Sequence, residues 1–82
     1  MKLPRDLSGD ELAYLLRRYG YEITRQTGSH LRLSSRFKGP EHPVTIPRHA
    51  SLRVGTLAAL LSEVARYLEL DRERLARELY GI

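Results

Sequence analysis

Gly28-Ser29-His30-Leu31-Arg32-Leu33-Ser34-Ser35 alternates polar and apolar side chains with a period of two, the pattern of a strand with one face buried and the other in water. Leu31 and Leu33 take the buried face, which leaves His30 and Arg32 together on the wet one. Gly28-Ser29 makes the turn into this strand. Upstream, residues 21–27 read as another strand, with Tyr21 and Ile23 facing inward. The same parity turns Arg25 inward, so a twist or bulge is expected near it. Downstream, Phe37-Lys38-Gly39-Pro40 breaks the chain, and Val44 and Ile46 flank Thr45 in a third short strand closed by Pro47. The three strands form an antiparallel meander.

Helices stand on both sides of the meander. Ser8-Gly9-Asp10-Glu11 has the spacing of a capping box; Leu12, Leu15, Leu16 and Tyr19 then share one helical face, and Gly20 ends the helix as a left-handed cap. After a loop over residues 48–55, Thr56 is the expected N-cap of a second helix carrying Leu57, Leu60, Leu61, Val64 and Leu68 at three- and four-residue steps. Asp71 caps a shorter third helix with Leu75 and Leu79 on its buried side, before Gly81. Each element has one apolar face, so the helices pack on one side of the sheet and the other side stays wet. The fold class is α+β, α-β-β-β-α with an extra C-terminal helix. The expected core is Leu12, Leu16, Ile23, Leu31, Leu33, Val44, Ile46, Leu57, Leu60, Leu61 and Val64, with His30 at least partly exposed.

The chain has 82 residues, read as a single domain over 1–82 that buries enough surface to need no metal or disulfide staple. It has no Cys, which excludes a disulfide framework and a thiol nucleophile. Met1-Lys2-Leu3-Pro4-Arg5 is not followed by an apolar run of signal-peptide or membrane-span length, so a cytoplasmic protein with no membrane partner is expected. The formal net charge of +4 hides an asymmetry. From Arg17 to Arg53, eight cations face only Glu22 and Glu41, a net +6, whereas the other residues carry six cations and eight acids, a net −2. All three histidines lie in the basic middle, the footprint of a site for a polyanion.

A side chain that titrates near neutrality, beside a cation and in basic surroundings, suits work on a phosphodiester. His30 is therefore the candidate catalytic group. Arg32 and Arg48 are candidates for holding phosphate, and Arg36 and Lys38 would extend the track. Gly28 permits a positive φ in a tight turn, a role compatible with close approach of a phosphate backbone. Ser29 has two readings: donating to a phosphate oxygen, or bonding its own backbone in the turn. It is not proposed as a nucleophile, because no acid is placed to orient His30 as in a triad. His49 is a second catalytic group or a loop residue bonded to a backbone carbonyl, and His42, before Pro43 in a turn, is assigned no role. The histidines stand twelve and seven residues apart, which matches no zinc pattern. Neither a metal nor another cofactor is expected.

Gly20-Tyr21 ending a first helix, then Gly28-Ser29-His30, Pro47-Arg48-His49 and Gly55-Thr56-Leu57, resemble the HicA toxins of bacterial and archaeal toxin–antitoxin modules, with order and spacing kept over residues 7–68. The resemblance implies a double-stranded-RNA-binding-domain-like fold and a type II toxin, an endoribonuclease that cleaves mRNA and is held inactive by a HicB-like antitoxin protein. It assigns catalysis to the histidine of the Gly-Ser-His motif, here His30. Residues 66–82 extend beyond shorter members and account for the third helix. Arg53-Val54-Gly55 stands where many true double-stranded-RNA-binding domains carry a Lys cluster.

The expected activity is thus metal-independent cleavage of single-stranded mRNA, with Gly28, Ser29, Arg32, Lys38 and Arg48 contacting RNA. The substrate's own 2′-hydroxyl is the nucleophile, and His30 is general base or acid. A non-catalytic RNA-binding domain and a basic protein-interaction module are the alternatives.

Overall fold

Capping decides where the first helix begins. The Ser8 hydroxyl accepts from the Glu11 amide at 3.0 Å while Glu11 Oε1 accepts from the Ser8 amide at 2.8 Å, so two otherwise orphaned donors are satisfied. In the computed structural model, which describes residues 6–80, this box opens α1 (Gly9–Leu16). A 3₁₀ turn over Arg17–Tyr19 follows, and Gly20 ends it at φ 80°. Only a glycine takes that angle without strain. A Cβ there would also lie 3.2 Å from Ser35 Oγ, the buried hydroxyl that donates to the Tyr19 carbonyl at 2.6 Å.

The strands are β1 (Glu22–Gln26), β2 (His30–Ser35) and β3 (His42–Pro47), paired antiparallel in sequence order. The expected meander is present, and β2 has the alternation read from its residues: Leu31, Leu33 and Ser35 are buried, His30 and Arg32 exposed. A bulge between Ile23 and Arg25 shifts the β1–β2 register, so that Arg25 comes opposite Arg32. The extra residue turns Arg25 to the wet face, which resolves its parity. Ile23 departs from expectation. It is 49% exposed, because α1 packs over β2 and β3 and leaves β1 at the margin of the sheet. Tyr21, fully buried, fills the core layer in its place.

The second helix, α2 (Val54–Leu68), begins two residues before the expected Thr56, with Arg53 as an N-cap that makes no side-chain bond. Thr56 therefore sits inside the first turn. The apolar face starts only at Leu57, so the uncapped first turn carries no sequence mark. The connection to α3 (Arg72–Tyr80) turns at Glu69, which takes φ 60°, and Asp71 accepts from the Arg74 amide at 2.7 Å as the expected cap. Gly81, read as the stop of this helix, lies outside the described residues. Apart from Ile23, every residue expected in the core is buried, joined by Tyr21, Leu52, Leu75 and Leu79. No helix among the described residues is long and apolar enough to cross a membrane.

Two contacts fasten the ends of this layer. Gly9 is buried at the first position of α1, and a Cβ built on it would stand 2.1 Å from the Pro47 carbonyl oxygen. At the other end, Tyr19 donates to the Glu78 carboxylate and Arg18 to the Glu78 carbonyl, tying α3 to the 3₁₀ turn. The Tyr19 bond and the Arg74 guanidinium hold the Glu78 carboxyl below its ordinary pKa.

Gly9→Ala should cost about 1–3 kcal/mol, because the backbone of β3 must yield to the new methyl; a thermal melt matching the parent's would show that the junction is looser than its geometry. Because Glu78 is depressed, its contribution is present above the ordinary carboxylate pKa and lost as pH falls through the lowered value. The stability gap between parent and Glu78→Gln should therefore close on acidification. Melts that keep a constant gap would rule out this linkage.

Candidate functional site

Pro47 stands opposite His30 at the end of the β2–β3 ladder, in a non-hydrogen-bonded pair that asks no N–H of it. Local bonds build the corner that carries His30. The Thr27 amide donates to the His30 carbonyl at 2.9 Å, and the Arg48 amide to the Ser29 carbonyl at 2.8 Å. Thr27 Oγ1 accepts from the amides of His30 at 3.0 Å and Ser29 at 3.3 Å. Thr27, rather than Ser29, is thus the turn residue whose hydroxyl bonds the local backbone.

That leaves the Ser29 hydroxyl for the imidazole, and its Oγ lies 2.9 Å from His30 Nδ1. A hydroxyl can donate or accept. With Nδ1 protonated, Ser29 accepts and Nε2 presents a lone pair; with Ser29 donating, Nε2 carries the proton. The first form is the one suited to a base; the form suited to an acid is the imidazolium, in which Ser29 again accepts from Nδ1–H and Nε2 carries the second proton. His30 is exposed at the end of the wet face.

Arg32 stands next on that face, with Arg25 opposite it on β1 and Thr45 opposite it on β3. Like charges at directly opposed positions repel. Among the described residues no ion pair engages either guanidinium, so an anion on this face would relieve the repulsion. Arg25 was absent from the candidates read from sequence; the parity conflict on β1 was the signal that could have found it.

The other sequence candidates are placed differently. Arg48 directs Nε and Nη2 at the Asp10 carboxylate, at 3.2 and 3.4 Å, and Nη1 at the Thr27 carbonyl, at 3.1 Å, which commits three of its five N–H groups to the protein. Lys38 and Arg36 lie past the far end of β2, which spans about 17 Å from His30 to Ser35, and pair with Glu69 at 3.5 Å and Glu41 at 3.8 Å. Gly28 has no positive φ, contrary to the turn reading, and a Cβ on it would meet nothing within 4 Å. Neither backbone conformation nor packing calls for a glycine there, and an added methyl would point into open space.

His49 is exposed, and its carbonyl accepts from the Gly9 amide at 3.0 Å. His42, assigned no role from sequence, is a structural centre. Its Nδ1 lies 2.7 Å from the Tyr21 hydroxyl, its ring stacks on Tyr67 at 4.6 Å and 9°, and its Nε2 faces Glu63 at 3.8 Å. Burial, with Tyr67 and Glu63 adding, pushes the Tyr21 hydroxyl well above the ordinary tyrosine pKa. The protonated Tyr21 hydroxyl can donate to Nδ1 or accept from it, according to the His42 tautomer. No cluster of three or more His, Asp or Glu side chains suited to a metal ion occurs among the described residues.

Residues 9–65 match the sequence model of a family described as HicA toxin of bacterial toxin-antitoxin. The match covers the capped first helix, the sheet and most of α2, and α3 lies beyond it. No curated protein and no solved structure matches the chain.

Gly28→Ala should leave thermal stability unchanged or raise it by about 0.4–1 kcal/mol, since the site is open and the φ ordinary. A marked loss in a melting experiment would mean that the 27–30 turn needs glycine for its own conformation.

Proposed function

The chain belongs to the HicA toxin family and is the toxin of a toxin–antitoxin module, and from that premise we propose that it is a metal-independent endoribonuclease cleaving mRNA at His30. The observation that carries the reading is an exposed imidazole with Nδ1 occupied by Ser29, beside two opposed arginines without acidic partners among the described residues. Such a site offers a proton-transfer group and a place for a phosphate.

RNA brings its own nucleophile. The 2′-oxygen bonds to phosphorus as the P–O5′ bond breaks, the 2′-hydroxyl proton goes to a base, and the leaving 5′-oxygen gains a proton. His30 Nε2 performs one of these transfers. Arg32 and Arg25 neutralise the non-bridging oxygens as charge builds in the phosphorane. Arg36 and Lys38, ion-paired at the far end of the sheet, contribute a weaker track for the rest of the strand.

An antitoxin follows from membership of the family. We place a HicB-like antitoxin over the wet face, where an acidic surface would meet Arg25 and Arg32, speed association and exclude RNA. Cleavage of mRNA places the activity in the cytoplasm.

His30→Ala should lose about 10²–10⁴-fold in cleavage of a labelled RNA while melting at nearly the parent temperature, and the parent should cleave in the presence of a chelator. Activity abolished by chelation, or an alanine variant as fast as the parent, would defeat the mechanism. With two arginines engaged, at about −0.7 each, binding should fall with salt at a log–log slope of roughly −1 to −2. An affinity independent of salt would favour a protein-interaction module.

A further inference from the structure

Asp10 sits within the capping box but takes no part in its two bonds, and its carboxylate is joined to the His30 corner through one side chain. It takes two N–H groups of Arg48, whose third bond ends on the Thr27 carbonyl and whose own amide holds the Ser29 carbonyl. Arg48 therefore grips the 27–30 turn from both its backbone and its side chain. The Arg48 amide bond is the last rung of the β2–β3 ladder, one pair beyond His30 and Pro47, and the Arg48 side chain holds the turn where that ladder ends. Asp10 itself stands rigidly, because α1 is docked at Gly9, its neighbour, against Pro47 and the His49 carbonyl.

Resting on the ribonuclease reading, we propose that Asp10 is a positioning residue for RNA cleavage: it fixes the Arg48 guanidinium against the Thr27 carbonyl and so sets the turn that aims His30 Nε2 at the phosphate. The side chain of Asp10 is 62% exposed and that of Arg48 30%, so the pair adds little to global stability. Its consequence is local. Misplacement of a reacting group by about 1 Å can cost 10²-fold in rate.

Electrostatics alone predicts the opposite outcome for one substitution. Asp10→Asn removes a negative charge near an anion site, which by field effects strengthens RNA binding and leaves or raises the rate. The positioning role predicts a fall in kcat of about 10- to 100-fold with KM unchanged or lower. Arg48→Lys keeps the cation but cannot bridge a carboxylate and a carbonyl with a planar fork, so it should show the same loss in kcat. The double variant should be no worse than either single one, because all three break one linkage.

The second readout is amide hydrogen exchange by NMR. In Asp10→Asn the His30 and Arg48 amides should exchange at least about tenfold faster, while those of Leu31 and Leu33 keep the parent's protection. A fall in kcat without faster exchange at the turn, faster exchange without a fall in kcat, or exchange that accelerates equally through the whole sheet would each overturn the proposal. If the unsubstituted chain leaves RNA intact, the ribonuclease reading fails; acceleration confined to the turn would still establish the clamp, and unchanged exchange would remove it.

Discussion

The absence of a side chain at Gly9 is the constraint on which the rest of the molecule depends. It lets the first turn of α1 press on the Pro47 carbonyl at a separation that no Cβ tolerates, with the Gly9 amide bonded to the His49 carbonyl. This contact sets the height of the helix over the sheet. It thereby brings Asp10 to Arg48, and Arg48 to the turn before His30. A bulkier residue would move all of these together, because protein interiors are packed too densely to absorb a shift of that size locally.

The polar groups divide by face. Under the helices, Tyr21, His42, Tyr67 and Ser35 satisfy one another and the nearby backbone, as buried polar groups must. On the wet side, among the described residues, the His30 ring is tied only through Nδ1, and Arg25 faces Arg32 with no ion pair to either. Three histidines in one basic stretch thus have unlike surroundings. His42 is held in a stack, His49 lends its carbonyl to a helix start, and His30 is exposed at the end of the wet face.

Most of the architecture was legible because the periodicities are clean. The alternation in β2, the capping box at Ser8 and the leucine steps of α2 each point to one element, and each element is there. The chain also belongs to the family that its Gly-Ser-His and Pro-Arg-His motifs resemble. Failures fall where a neighbour overrides the pattern. Ile23 reads as core, yet it lies on a bulged edge strand that the helices do not cover. Thr56 reads as a cap, yet α2 starts on an extended Arg53 whose side chain makes no cap. In the site, His30 and Arg32 follow from parity. The grip of Arg48 on Asp10 and the commitment of His42 to Tyr21 join residues 38 and 21 positions apart, a separation at which no local pattern operates.

The central claim is that His30 works on an RNA phosphate through the substrate's own 2′-oxygen, and the chemistry of the cut ends tests it most directly. Mass spectrometry of the fragments released by the purified chain should find 5′-hydroxyl ends facing 2′,3′-cyclic phosphates or their hydrolysed forms. Fragments ending in 3′-hydroxyl and 5′-phosphate would contradict it, since a water molecule rather than the ribose would then have attacked the phosphorus.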